Sequence, residues 1–227
     1  MSIFTLVPVK RLSESKKRLS MIFKPEERRD FVVAMLRDVL KAISLSGVER
    51  TVIIGSDSIV QRLSSDLGAF FLPDTGEELN QVIEYATDWC IRREAESLLI
   101  LPADIPLVTS SEIDKIISLC SEKPSVAISP SSDGGTNALM RRPPGIMPTH
   151  FGAGSFKKHI NEASRKGVKA KVYRSLRLSL DIDSPRDLKR FVEIGKGTET
   201  YRFLKRNEIE ERLVNLSNSS VLLQRKS

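Results

Sequence analysis

Ser97-Leu98-Leu99-Ile100-Leu101 runs without a break into Pro102-Ala103-Asp104-Ile105-Pro106-Leu107. The first five residues are the most apolar strand candidate in the chain. A strand with so little polar alternation is buried on both faces, as a central strand of a parallel sheet is. Pro106 interrupts the chain there and leaves Asp104 at the strand's carboxyl end. Open α/β sheets bind their ligands at that edge. A carboxylate next to a buried strand is costly unless it has a partner, and a divalent cation is one such partner. The plainer alternative is an aspartate capping the next turn.

Working outward, strands alternate with helices. Ile3 to Val9 reads as a buried first strand, and Lys10 to Ser20 as a polar, basic loop. Pro25 opens a helix with Glu26 and Glu27 in its positive first turn, and Phe31, Val32, Met35, Leu36, Val39, Leu40 and Ile43 form its buried stripe. Thr51 to Ile54 is a strand, Ser58 to Leu67 a helix and Ala69 to Leu72 a short strand. Thr75 and Glu78 have capping-box spacing before a long helix ending near Ala95, and Thr109 and Glu112 repeat that spacing before the next helix. Ser125 to Ser129 and Thr136 to Arg141 read as strands around an Asp133-Gly134-Gly135 turn. Gly152 and Gly154 precede a helix from Ser155 to Arg165, and Val168 to Tyr173 and Leu178 to Ile182 read as extended. Ser184-Pro185 starts a helix that fades near Gly195, and a last amphipathic helix spans Thr198 to Leu216.

This order predicts a three-layer α/β fold with a mainly parallel sheet and right-handed crossovers. The chain has 227 residues, enough for one domain over 1–216, with 217–227 as a flexible tail. No apolar run approaches a membrane span, and the opening residues lack the order of a signal peptide, so a cytoplasmic protein is expected. Cys90 and Cys120 read as buried free thiols rather than a disulfide framework. Lysine and arginine total 36 against 29 acidic residues, a net +7 that suits a polyphosphate ligand or nucleic acid. The chain has no aromatic-plus-basic RNA motif and no zinc pattern, so no nucleic-acid partner is expected.

Three further segments carry chemistry. In Lys10-Arg11-Leu12-Ser13-Glu14-Ser15-Lys16-Lys17-Arg18, five of nine residues are cationic. At a strand's carboxyl end such a loop is placed to hold a triphosphate and neutralise a leaving pyrophosphate, although it is not a P-loop. In Leu180-Asp181-Ile182-Asp183-Ser184-Pro185, alternation puts Asp181 and Asp183 on one face, where like charges repel unless a cation joins them. Phe151-Gly152-Ala153-Gly154-Ser155-Phe156 is a glycine-rich helix entrance suited to an anion. His150 and His159 lack partners at ligand spacing and read as structural, Ser15 and Ser155 have no evident base, and Trp89 reads as core.

Pro8-Val9-Lys10 through Lys16-Lys17-Arg18-Leu19, Pro102-Ala103-Asp104-Ile105-Pro106, Thr136-Asn137-Ala138-Leu139, Phe151-Gly152 with Ser155-Phe156, and Asp181-Ile182-Asp183 occur in an order that resembles the 2-phospho-L-lactate guanylyltransferases of coenzyme F-420 biosynthesis. The resemblance runs from the first strand to about Leu188. It implies a nucleotidyltransferase fold related to the GT-A glycosyltransferases, the nucleotide-diphospho-sugar transferase fold. It also implies GTP, Mg²⁺ and a phosphorylated three-carbon acid. By motif, Asp104, Asp181 and Asp183 approach the metal, and Lys10, Lys16 and Arg18 face the nucleotide phosphates as catalytic groups with Asp104. Pro102 joins the nucleotide site, while Thr136, Gly152 and Ser155 hold the acceptor. Glu78-Leu79-Asn80 stands where the family tends to show Gly-Leu-Asn, which assigns Asn80 to the nucleotide. The glycine-rich first loop of the wider superfamily is absent. The acceptor expected first is 2-phospho-L-lactate, with phosphoenolpyruvate or a phosphoglycerate as alternatives. Related transferases acting on a sugar phosphate or a molybdopterin share the fold. Ile209, Leu213 and Leu216 form a stripe, with Tyr201 and Leu204 above it, that packs on its own domain or on a partner subunit; a homodimer is expected from it.

Overall fold

The computed structural model describes residues 2–215 apart from Thr75 and Glu77. Its strands are β1 Ile3–Pro8, β2 Arg50–Gly55, β3 Phe70–Pro73, β4 Ser97–Ile100, β5 Ser125–Pro130, β6 Thr136–Arg142 and β7 Lys171–Val172. They form one sheet in the order β3-β2-β1-β4-β6-β5-β7. β1 pairs in parallel with β2 and β4, β2 with β3 and β5 with β7; β6 runs antiparallel between β4 and β5. The sheet is therefore mixed, with its parallel half at β3-β2-β1-β4.

The apolar strands are continuous because both faces are covered. Phe4, Leu6, Val52, Ile54, Leu98, Ile100, Val126 and Ile128 enter one apolar cluster. Their alternates Ile3, Val7, Ile53, Leu99 and Ala127 enter another. The period-two split is the pleat itself. On the first face pack helices α3 (Leu79–Ile91) and α5 (Ser155–Arg165), through Val82, Ile83, Ala86, Cys90 and Ala163. On the second pack α1 (Pro25–Ser44), α2 (Ser58–Asp66) and α4 (Ser110–Leu119). Helices α7 (Pro185–Ile194) and α8 (Glu199–Arg206) complete that layer through Leu188, Phe191, Phe203 and Leu204.

Most predicted helix starts hold. The Thr109 hydroxyl accepts from the Glu112 N–H, and the Glu112 carboxylate accepts the Thr109 N–H. Ser184 and Asp187 form the same reciprocal box before α7. Of the Thr75–Glu78 pair, Thr75 lies outside the described residues, and the Glu78 N–H is instead accepted by Gln81 at 3.3 Å.

Three expectations are corrected. The long helix stops at Ile91 rather than near Ala95, and the chain then turns with Glu94 at φ 64°. Leu178 to Ile182 is not extended throughout: Leu176–Ser179 forms a short helix, α6, because the Ser175 hydroxyl accepts the N–H groups of Arg177 and Leu178. The last helix is not continuous. It breaks at Asn207 and Glu208, where Glu208 has φ 54°, and resumes over 209–215. Ile209 and Leu213 bury into the chain's own core, and Arg212 pairs with Glu27 at 2.8 Å. That part of the stripe packs on its own domain; Leu216 lies outside the described residues. No helix among the described residues is long and apolar enough to cross a membrane.

Candidate active site

The loop after β1 is held from within. Leu12 and Leu19 are buried, and the Asp57 carboxylate accepts the Leu12 N–H at 2.9 Å. Between these anchors Lys16 takes a left-handed conformation, φ 54°, which a non-glycine residue adopts at some cost. That turn sends its side chain inward. Its Nζ donates to Asp104 Oδ2 and to Asp183 Oδ1, each at 2.6 Å. Burial alone would lower the Lys16 pKa, but the two carboxylates hold it above its ordinary value.

The segment carrying Asp183 is fixed by two further bonds. The Ile182 N–H donates to the Asp104 carbonyl at 3.1 Å, laying residues 181–183 beside the end of β4. Buried Asn137 on β6 donates to the Leu178 carbonyl at 2.8 Å and to Asp181 Oδ1 at 3.1 Å. Leu180 and Ile182 point into the core, so the alternation predicted for the aspartates survives without a strand. Burial, with Asp104 and Asp183 nearby, pushes the Asp181 carboxyl up to about 6, against the opposing Asn137 bond.

Three cavities follow the strand ends. One of about 130 Å³ is lined by Pro8, Val9, Lys10, Ile54, Asp74, Leu79 and Val82. It shares Pro8, Val9, Lys10 and Leu79 with a second of about 290 Å³, which also meets Lys16, Pro102, Asp104, Asn137, Asp181 and Asp183. A third of about 500 Å³ shares Asp181 and Asp183 with the second and adds Arg18, Arg186 and Arg190. Lys10, Lys16, Pro102, Asp104, Asp181 and Asp183 thus line one cavity, while Arg18 stands one cavity further along.

The donor set fits a hard divalent cation, because its atoms are carboxylate oxygens and two of them already face one cationic nitrogen. Of the three expected carboxylates, Asp104 and Asp183 face Lys16, while one oxygen of Asp181 accepts from Asn137. Among the described residues no group of three or more His, Cys, Asp or Glu side chains is arranged as a metal site.

The residues expected to hold the acceptor stand in a separate group. Ser155 and Thr136 are buried with their hydroxyls 3.2 Å apart, and Gly152 has φ 121°. Asn80 lines none of these three cavities. Its amide accepts the Phe151 N–H at 2.7 Å and donates to the Phe151 carbonyl at 3.1 Å. Both ends of that amide are engaged with the Phe151 backbone, so Asn80 holds the segment leading into Gly152.

The sequence reading gave no role to Asn137, Arg186 or Arg190. A lone asparagine in the apolar run Thr136 to Met140 is the one signal available for the first. His159 is fully buried, and His150 Nε2 stands 3.7 Å from Glu162. Trp89 is half-buried rather than core, with Arg93 3.6 Å above its ring.

The family model for guanylyl transferases, CofC-like, matches residues 3–226. The chain belongs to this family. It is 37% identical over 196 residues, 86% of its length and 96% of the relative's, to a phosphoenolpyruvate guanylyltransferase from Rubrobacter xylanophilus. It is 36% identical over 207 residues, 91% of each chain, to a 2-phospho-L-lactate guanylyltransferase from Methanothermobacter thermautotrophicus. Among solved structures, a nucleotide-diphospho-sugar transferase from Desulfovibrio desulfuricans G20 superposes with a TM-score of 0.75 at 18% identity, covering 93% of this chain and 99% of that one. A nucleotidyl transferase from Methanothermobacter gives 0.60 at 13% identity, covering 90% and 98%. At those identities the likeness shows the fold. As a family member, the chain is an enzyme of the guanylyltransferase class.

Proposed function

We propose that the enzyme transfers GMP from GTP to 2-phospho-L-lactate, giving lactyl-diphospho-guanosine and pyrophosphate. The observation that carries this reading is the convergence of Lys16, Asp104 and Asp183 on one cleft, in a chain whose family transfers guanylyl groups. GTP lies along the strand ends with its phosphates beside Lys10 and Lys16, and Arg18 meets the far end of the triphosphate. Asp104 and Asp183, with Asp181, hold Mg²⁺, which supplies charge neutralisation on phosphate oxygens. Thr136, Gly152 and Ser155 hold the acceptor.

The acceptor's phosphate oxygen forms a bond to the α-phosphorus of GTP, and the bond from that phosphorus to the bridging oxygen of pyrophosphate breaks. The attacking oxygen is anionic near neutral pH, so the step needs no strong general base. The chain's part is alignment and charge neutralisation. The reading places this work in the cytoplasm with small molecules as its partners. The homodimer rests on no observed contact, and sedimentation of the purified protein decides it.

A second reading, phosphoenolpyruvate as acceptor, is favoured by the relative named for that acid at 37% identity. The two acids differ by two hydrogens, so that the carbon bearing the phosphate is planar in phosphoenolpyruvate and tetrahedral in 2-phospho-L-lactate. The test is ³¹P NMR of the enzyme with GTP, Mg²⁺ and each acid in turn. Paired doublets of an unsymmetrical diphosphate, with free pyrophosphate, are expected with 2-phospho-L-lactate. Their appearance with phosphoenolpyruvate alone transfers the assignment to the second reading.

A further inference from the structure

Residues 149–151 lead into the glycine-rich entrance of α5, and each of their backbone N–H groups is accepted by a side chain. The Thr149 N–H donates to Glu84 at 2.9 Å, the His150 N–H to His159 Nε2 at 2.8 Å, and the Phe151 N–H to Asn80 at 2.7 Å. Asn80 and Glu84 lie one turn apart on α3, so they form one stripe facing the segment. His159 comes from α5, on the other side.

His159 makes a second bond, to Thr136 on β6. Its Nδ1 is 3.0 Å from Thr136 Oγ1. Because Nε2 accepts from His150, the ring's proton sits on Nδ1 and is donated to Thr136. Ser155 Oγ also donates to Thr136 Oγ1, at 3.2 Å. A threonine hydroxyl has two lone pairs and one proton. With both lone pairs engaged, the Thr136 proton is left to point away from both donors, as a donor. An anion is the partner that such a hydroxyl suits.

We propose that His159 is a positioning residue of the acceptor site: its imidazole fixes the Thr136 hydroxyl as a donor to the acceptor's anionic group and ties that donor to the backbone entering Gly152. The inference rests on the reading that Thr136, Gly152 and Ser155 hold the acceptor. Geometry and burial agree on the state of the ring. It is fully buried, and burial, with His150, Arg141 and Lys158 nearby, pushes its pKa down to about 3. The imidazole therefore stays neutral at working pH and keeps one donor and one acceptor. A protonated ring would present a second N–H to the His150 N–H and break the arrangement.

The test compares His159→Phe, which fills the volume without either bond, with His159→Gln, which keeps one donor and one acceptor. Steady-state kinetics are read at saturating GTP and then at saturating phospho-acid. The expected result is a rise of about tenfold in KM for the phospho-acid in His159→Phe, with KM for GTP unchanged and substantial rescue in His159→Gln. A His159→Phe enzyme with both constants unchanged, or with both raised in parallel, overturns the proposal. Thr136→Val separates the two layers. If it raises KM for the phospho-acid while His159→Phe does not, the acceptor reading stands and the role of His159 fails. If Thr136→Val leaves that constant unchanged, the acceptor reading fails and the inference goes with it. ¹⁵N NMR of the wild-type imidazole needs no variant to fold: an Nδ1–H tautomer that shifts on adding 2-phospho-L-lactate supports the proposal, and an Nε2–H tautomer or no shift contradicts it.

Discussion

At the residue scale, Lys16 and its two carboxylates decide most. Lys16 Nζ sits 2.6 Å from Asp104 and from Asp183, so charge balance in the cleft depends on all three. Asp104→Asn keeps the shape and the hydrogen-bonding capacity but removes the charge. It is expected to lower kcat by about a thousandfold with the far-ultraviolet circular dichroism unchanged, since charge placed for the transition state has that scale of effect. Near-normal turnover in that variant contradicts the assignment. Asp181 gives a prediction about stability. Its pKa is about 6 in the folded chain against an ordinary 3.8. Between those values the folded state binds more protons than the unfolded state, so this group's contribution to stability falls as pH rises. Asp181→Asn is therefore expected to stabilise the metal-free protein at pH 7.5 by about 1 kcal/mol, after solvent screening of a half-buried group, and to have little effect near pH 4. Urea unfolding at the two pH values checks it. His159 acts in the opposite sense: with a pKa pushed down to about 3, it withdraws stability as pH falls below the ordinary 6.5.

At the element scale, α3 serves both ends of the cleft. Leu79 and Val82 line the small cavity beside Lys10, while Asn80, Glu84 and Thr87 face the other way. Fully buried Arg141 on β6 completes the clamp. It donates to Glu84 at 3.3 Å, to the Met147 carbonyl at 2.6 Å and to Thr87 at 2.7 Å. Arg141→Met would leave that carbonyl and the Glu84 charge short of a partner. It is expected to cost about 3 kcal/mol in urea unfolding. A loss under 1 kcal/mol would mean that water replaces the guanidinium.

Much of this element plan was readable in the sequence, because strands buried on both faces leave unbroken apolar runs such as Leu98 to Leu101. The helix Leu176–Ser179 was not, because its alternating leucines mimic a strand and its cap, Ser175, is decided by local geometry. The site divides the same way. Asp104, Asp181 and Asp183 stand out as charges beside apolar segments. The bridge from Lys16 joins positions 88 and 167 residues apart, which only the folded chain reveals. Asn80 shows a motif's limit: its place was legible, but its bond to Phe151 depends on a loop 71 residues away.

At the scale of the whole molecule, the segment 209–215 closes the layer over α1. Ile209 and Leu213 are buried, and Arg212 reaches Glu27 and the Ile22 carbonyl behind the basic loop. A chain ending at Glu208 is expected to lose about 4 kcal/mol, the scale of two buried aliphatic side chains. Its thermal midpoint should fall accordingly, with GTP binding weakened through the loosened loop. An unchanged midpoint would show that the segment packs without stabilising.

The central claim is guanylyl transfer to a phosphorylated three-carbon acid. Its most direct test is pyrophosphate release, coupled to inorganic pyrophosphatase, with Mg²⁺, each nucleoside triphosphate, and 2-phospho-L-lactate, phosphoenolpyruvate or a phosphoglycerate. Release that requires both GTP and a phospho-acid, greatest with 2-phospho-L-lactate, is the predicted result. Release with another triphosphate in preference to GTP, or none with any pair from folded protein, would contradict it.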